Sequence, residues 1–420
     1  MSGHQAQTDL PGAQRALALL LAGYLLSFVD RTILGIVQQP MKVELGLSDA
    51  QLGLLGGTAF ALLYSTLGLP VARLAERGHR VPIVATAVLI WSLATIACGA
   101  AIGFVSLFVA RVVVGIGEAG GTPPSHALLA AFHAPARRVR AIGIYSLGVP
   151  LGILAGALLG GFVAARFGWR AAFVAAGVPG LLLAPLILTI REPAAPPSTD
   201  TIPPLREALA ALARVPALRH LTAGIVVASF VGYALVGFLP TLLMRRFAYD
   251  IAQAGLATGL ITGIGGGLGT FLGGWLVARL QVREARWIGR IPALGLAAAA
   301  PLFAAAFLAP RAEVAVALAF VASIGQFLYL GPTYGTAQTL VAPTMRATTS
   351  AAILLLVNLI GLGLGPPLLG AASDALLPGR DGGAALALAM AGFAAVFLLA
   401  AWHYARAART IVADLDRAAV

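Results

Sequence analysis

Two adjacent opposite charges, Asp30 and Arg31, stand inside an apolar run from Ala16 to about Val37, and Arg111 and Glu118 stand inside another. Ionisable side chains at membrane depth are costly and usually face a protein interior or a water-filled cavity, so all four are functional-site candidates. Two acids and two arginines offer proton exchange and anion binding. A motion that alternately pairs and unpairs Glu118 or Asp30 with arginine takes up and releases a proton. A guanidinium stays charged and donates two parallel hydrogen bonds to a phosphate, while Leu, Ile, Val and Phe walls suit an acyl tail. The ligand class that fits is an amphipathic anion.

The spacing around these residues is helical. Arg111, Gly115, Glu118, Thr122 and Ser125 recur at i, i+4, i+7, i+11 and i+14, one face of an otherwise apolar helix. Tyr24, Ser27, Arg31 and Gln38 make a similar stripe, with Asp30 turned about 100° from Arg31 and able to reach a neighbouring helix. Gln326, Tyr329, Thr333 and Thr336 form a third, uncharged stripe. A rise of about 1.5 Å per residue puts Asp30, Arg31 and Arg111 at one level and Glu118 one to two turns deeper. Asp30 with Arg111 and Glu118 with Arg31 are the pairs this predicts. A permanent ion pair joining two helices is the structural alternative, although four charges exceed what one such pair needs.

The elements that must position these residues follow from composition. Of 420 residues, 59% are hydrophobic and 10% charged, with mean hydropathy +0.92, and the apolar residues recur in runs of membrane-spanning length. This predicts an all-α membrane protein with twelve transmembrane helices in two six-helix bundles. Spans are expected at about 16–38, 51–73, 81–102, 104–131, 139–166 and 170–190, then at 220–244, 253–280, 288–309, 313–341, 347–373 and 383–405. The domains are 1–190, a proline-rich cytoplasmic linker 191–219, and 220–420. The first run is long enough to span and lacks a small-residue cleavage site, so it is expected to remain as the first helix. With both termini in the cytoplasm, nineteen of the 28 Lys and Arg fall on that side and seven on the other, as the positive-inside rule requires. Almost all the basic residues are Arg, which suits a bacterial inner-membrane protein.

Several function classes are excluded. The +12 net charge lies in short loops and not on one soluble face, so nucleic acid is no partner. A channel needs a carbonyl filter or charged rings, and neither is present. The single cysteine, Cys98, makes no intramolecular disulfide, and His126, near the cytoplasmic end of the fourth span, suits packing better than metal ligation. No enzyme activity, metal or cofactor is expected.

Val71-Ala72-Arg73-Leu74 closes the second span and Val277-Ala278-Arg279-Leu280 the eighth, half a chain apart, which indicates duplication. Gly148, Gly152, Gly156 and Gly160, and later Gly361 and Gly365, recur every four residues, allowing helix backbones to approach closely.

Arg77-Gly78-His79-Arg80 resembles the cytoplasmic loop motif of the major facilitator superfamily, with Ala72, Glu76 and His79 standing where that motif has Gly, Asp and Gly. Arg111-x-x-x-Gly115-x-Gly117-Glu118-Ala119 is similar to its fourth-helix motif. More narrowly, Asp30-Arg31, Gly117-Glu118-Ala119 and the run Asn358 to Pro366 followed by Ser373-Asp374 resemble the Spinster family of lipid transporters. The resemblance implies a rocking-bundle transporter, monomeric and driven by protons, exporting lysophospholipid-like or sphingosine-1-phosphate-like molecules. An exporter of drugs or hydrophilic organic anions is the alternative. Combined with the stripes, it makes Glu118 and Asp30 candidates for proton coupling, and Arg31, Arg111, Tyr24, Ser27, Thr122, Gln326, Tyr329 and Asn358 candidates for substrate binding. Glu76, Arg77 and Arg80 are candidates for a cytoplasmic gate. Substrate, protons and membrane lipids are the expected partners.

Overall fold

The computed structural model describes residues 9–76, 79–193 and 205–418, which form helices and connecting turns without a strand. Among the described residues, eleven helical segments are long and apolar enough to cross a membrane. One of them, Arg140–Leu188, is 49 residues long, more than twice what a bilayer requires. Inside it Gly168 adopts φ 82°, ψ 166°, a conformation that breaks the helix and that side-chain-bearing residues rarely adopt. That single residue makes two spans of one, giving the twelve expected.

By internal contacts the described chain divides into two units. The first comprises Met1–Leu47, Ala59–Thr199 and Asp250–Gly259; the second comprises Ser48–Thr58, Asp200–Tyr249 and Leu260–Val420. A short segment from each sequence half thus packs with the other half's helices.

In the first unit α1 (Ala13–Leu45) precedes α2 (Asp49–Gly56) and α3 (Thr58–Glu76), of which α2 packs in the second unit. Then come α4 (Arg80–Gly99), α5 (Phe104–Ala119), α6 (Thr122–Phe132), α7 (Pro135–Ser146) and α8 (Gly148–Leu188). The glycine face of α8 seats α1. A Cβ on Gly152 would lie 2.5 Å from the Leu25 carbonyl oxygen, one on Gly156 2.9 Å from Val29 Cα, and one on Gly160 3.0 Å from Ile33 Cγ1. Leu25, Val29 and Ile33 are themselves four apart, so the two helices mesh along matching ridges. The contact also fixes the rotation of α1. With Val29 against α8, Arg31 lies about 200° further round the helix, on the side of α3 and α5.

The second unit contains α9 (Leu205–Arg214), α10 (Pro216–Phe247), α12 (Gly266–Leu280), α13 (Trp287–Leu308), α14 (Ala312–Phe327), α15 (Leu330–Thr339), α16 (Arg346–Leu356), α17 (Gly363–Leu376), α18 (Gly382–Ala395) and α19 (Phe397–Ala418), while α11 (Ile251–Thr258) packs in the first. Its core helix is α10, the most buried of the spans. Two π-helical stretches, Gly259–Gly265 and Val357–Leu362, interrupt the eighth and eleventh spans. The second lies in the Asn358 to Pro366 run, where a Cβ on Gly361 would meet Ser229 Cβ at 3.0 Å, so α10 and the eleventh span also approach through glycine. Of the linker 191–219, residues 194–204 lie outside the described residues, and 205–214 form α9.

The α1–α8 mesh predicts that Gly152→Ala lowers stability by about 1–3 kcal/mol through overpacking. Gly143→Ala, where a Cβ meets nothing within 4 Å, should be neutral or slightly stabilising. Melting temperatures of the two purified variants in detergent check this, with a drop expected only for the first.

Candidate functional site

The site is built where α1, α3, α4 and α5 meet in the first unit. From the side of α1 opposite α8, Arg31 donates through both Nε and Nη2 to one oxygen of Glu118, at 2.8 and 2.5 Å. Its guanidinium carbon lies 5.0 Å from the Phe28 ring centroid, 4.4 Å from that of Phe60 and 5.0 Å from that of Tyr64. One charged edge and three aromatic faces hold it, and cation–π contacts of this kind strengthen where water is excluded. The pair is lopsided in exposure, since the Arg31 side chain is 21% accessible and that of Glu118 1%. The other Glu118 oxygen, Oε1, has no hydrogen-bond partner among the described residues.

Asp30, one step round α1, points elsewhere. It accepts from Arg111 Nη1 at 3.0 Å and from Thr95 Oγ1 at 2.8 Å, with both charged side chains 2% accessible. Both ion pairs expected from depth are therefore present, and they are unlike. Phe60 stands between them, 4.4 Å from the Arg31 guanidinium carbon and 5.8 Å from that of Arg111. Its backbone carbonyl approaches α5 at Gly115, where a Cβ would sit 2.6 Å away, so a side chain at Gly115 would displace that ring.

Beside the Arg31–Glu118 pair a narrow cleft is lined by Tyr24, Ser27, Glu118 and Thr122 together with Trp91 and Tyr145, so that Glu118 faces it and Arg31 does not. Tyr24 stacks on Tyr145 with ring centroids 4.4 Å apart, and His126 meets the same tyrosine edge-on at 5.2 Å. The Ser27 hydroxyl donates to the Tyr24 carbonyl at 2.9 Å. The fourth span is not one continuous helix, because it breaks at Gly120 and Gly121 before Pro123 and Pro124, which lack the N–H groups a helix interior needs. Glu118 thus lies in the last turn of one helix and Thr122 in the first turn of the next, and both still reach the cleft.

Not every expected residue converges here. Arg111 is enclosed with Asp30 and does not line the cleft, nor does the buried Gln38. The remaining uncharged candidates, Tyr329, Asn358 and Gln326, belong to the second unit. Tyr329 lies 3.4 Å from Ser229 Oγ through its hydroxyl, Asn358 Nδ2 donates to the Leu354 carbonyl at 2.9 Å within the π-helical turn, and Gln326 lines a small cavity with Thr262 and Ser323. Of the gate candidates, Arg77 lies outside the described residues, as does the side chain of Glu76. Arg80 opens α4, and its backbone N–H and that of Val81 both donate at 3.1 Å to the carboxylate of Glu192. His79 beside it has φ 67°, the left-handed conformation that glycine would adopt freely at this position.

A second charged cluster lies in the second unit. Arg245 grips Asp49 through two bonds of 2.7 Å, Ser373 donates to the same carboxylate at 2.7 Å, and Asp374 accepts the N–H groups of Asp49 and Ala50 at 3.0 and 2.8 Å. An acid at a helix N-terminus is favoured by its free N–H groups, so Ser373-Asp374 anchors the start of α2.

This architecture has known counterparts. The family model of the Major Facilitator Superfamily matches residues 20–366. The chain belongs to the Major Facilitator Superfamily. It is 34% identical to an MFS-type efflux pump of Mycolicibacterium smegmatis over 419 residues, covering 96% of each chain. A solved bacterial homologue of the human lysosomal transporter Spinster, inward-facing and unoccupied, superposes with a TM-score of 0.87 at 34% identity, covering 96% of this chain and 98% of that one. A hexuronate transporter of Bacillus subtilis is 30% identical over 170 residues, 40% of each chain. The chain is thus an integral membrane transporter of this superfamily with a Spinster-like fold.

Sequence reasoning missed the aromatic faces around Arg31, although Phe60 and Tyr64 stand at i and i+4 in the second span, a spacing that puts them on one side of a helix. It also missed Thr95 and the Asp49–Arg245 pair.

The enclosed pair predicts that Asp30→Ala destabilises by about 3–5 kcal/mol, because Arg111 is left buried without a counter-charge. Pairing Asp30→Leu with Arg111→Met should recover most of that loss. Thermal melts of the single and double variants check it, with equal losses in both being the contrary result.

Proposed function

We propose that this superfamily member is a proton-coupled secondary transporter of an amphipathic anion, of the lysophospholipid or sphingosine-1-phosphate kind. In this reading the bundles 1–190 and 220–420 alternate access to a central site, with Glu76, Arg77 and Arg80 gating the cytoplasmic side. The protein acts as a monomer in a bacterial inner membrane with both termini in the cytoplasm.

One observation carries the reading: the two donors on one edge of Arg31, Nε and Nη2, converge on a single carboxylate oxygen while the arginine side chain keeps an accessible part. A protonated Glu118 loses its charge and with it the strongest hold on that fork. The guanidinium, still fixed by Phe28, Phe60 and Tyr64, then offers its paired donors to a phosphate or carboxylate headgroup. Proton and headgroup compete for opposite members of one ion pair, so binding of either favours the other by the same factor. Tyr24, Ser27 and Thr122 supply hydrogen-bonding groups beside the headgroup, and Gln326, Tyr329 and Asn358 offer others from the C-terminal bundle. Asp30 and Arg111, paired with each other and enclosed, tune the field around the exchange and are second in line for proton uptake and anion binding.

The relatives divide between two readings. The Spinster homologue favours a lipid, and the efflux pump and hexuronate transporter favour a drug or hydrophilic organic anion. The aromatic setting of Arg31 weighs toward an amphipathic ligand.

Flux in proteoliposomes with and without a pH gradient tests the reading. Glu118→Gln should keep ligand binding but lose its pH dependence and uncouple flux from the gradient, since the amide cannot lose a proton. Arg31→Lys keeps charge without the fork and should weaken binding of a phosphorylated lipid about tenfold or more, the equivalent of one charge-assisted hydrogen bond. In Arg31→Ala the affinities for a lysophospholipid and its dephosphorylated counterpart should converge. Undiminished proton-driven flux in Glu118→Gln would refute the coupling, and saturable binding of hexuronates or drugs with indifference to lysolipids would favour the alternative cargo.

A further inference from the structure

At the arginine-rich end of the second unit, α13 and α19 leave an open groove of about 620 Å³ that shares no residue with the cleft beside Arg31. Its base is set by close approach, since a Cβ on Gly289 would lie 2.6 Å from the Tyr404 carbonyl oxygen and 2.7 Å from the Ala408 nitrogen. Beyond that contact the walls are small or apolar, formed by Ala293, Leu294 and Ala405, with Leu294 62% exposed. Arg286, Arg290 and Arg409 line its mouth with Trp287.

The charges there do not cancel. Glu284 is the acid at the rim, 2.7 Å from Arg290 and 3.4 Å from Arg286, and Arg409 is exposed. Three arginines against one carboxylate leave two positive charges over an apolar trough. The depth is marked independently by tryptophans, each with an arginine over its ring: Trp275 with Arg279 at 4.4 Å, Trp287 with Arg290 at 5.4 Å and Trp402 with Arg406 at 5.7 Å. Tryptophan concentrates where headgroups meet acyl chains, and a basic pocket between helices at that level suits an anionic lipid headgroup.

We infer that the α13–α19 groove binds an anionic phospholipid of the adjoining leaflet, its phosphodiester between Arg286, Arg290 and Arg409 and one acyl chain along Leu294 and the alanines. A phosphatidylglycerol carries one negative charge and a cardiolipin two, and both can be neutralised at this mouth. A zwitterionic lipid would bring a second cation toward arginines already in excess. The occupant is a resident of the membrane and distinct from the transported ligand.

Native mass spectrometry of the purified full chain, titrated with phosphatidylglycerol, cardiolipin, phosphatidylcholine or phosphatidylethanolamine, tests this. The unaltered protein should retain the anionic lipids about tenfold better than the zwitterionic ones. Arg286→Ala with Arg409→Ala should bring that ratio to near one with little change in melting temperature, and the double replacement by Lys should keep most of it. Arg409→Gln alone, at an exposed position, should lower the ratio about threefold and serves if the double variant folds poorly. An unchanged preference in these variants would overturn the inference. So would loss of the preference only in Arg31→Ala, which would put the lipid in the cleft beside Arg31, or equal competition by glycerol phosphate, which would mark a site for soluble anions.

Discussion

A guanidinium sunk among membrane-spanning helices has to be answered by an opposite charge, and most of the first unit is arranged to give two such answers from one turn of α1. Asp30 and Arg31 are neighbours in sequence, yet the helical step sends them to different partners, Arg111 with Thr95 and Glu118 with the aromatic rings. That works only if α1 cannot rotate. The glycine face of α8 supplies the constraint, because backbone contacts at Gly152 and Gly156 tolerate no other orientation of Leu25 and Val29. Small residues of α8 against one side of α1 are thus the condition for charged residues on the other.

The two ion pairs divide structure from chemistry. Asp30–Arg111 is closed on every side, which makes it a fixed joint between α1 and α5 and a source of steady local field. Arg31–Glu118 is closed around the carboxylate and partly open along the arginine side chain, with one carboxylate oxygen unbonded among the described residues. An interaction that is strong but incompletely enclosed is one that a proton or a competing anion can exchange. Phe60, lying against both arginines, ties the exchangeable pair to the fixed one.

Much of this was legible in the sequence because membrane helices are long, straight and regularly periodic. The span count, the polar stripes on the first and fourth spans, and the two pairings all follow from a rise and a turn per residue. What the period could not supply were departures from it and partners brought by folding. The break at Gly120 and Gly121 lies inside an apolar run, where prolines alone hinted at it. Arg245 reads as one more loop charge until the fold sets it on Asp49, 196 residues away, and Glu192 reads as linker until it caps α4. One sign of duplication also went unread. Ser48 and Asp250 each open a capping box closed by Gln51 and Gln253, and two residues later Gly53 and Gly255 each press on the backbone of another helix, α17 in one case and α8 in the other.

Those exchanged segments bear on how the protein is made. The surface of α8 at Ala157 and Gly161 stays bare while the chain grows, until residues 250–259 emerge to cover it. The start of α2 waits longer. Asp49 reaches the ribosomal exit 196 residues before Arg245 and 325 before Asp374, so an acid destined for burial waits through nearly half of the 420-residue chain for its neutralising arginine. The first bundle cannot be completed before the second has begun, and the insertion machinery must hold the early helices loosely enough for a late one to enter. Order of translation is therefore a constraint on this fold as real as any contact within it.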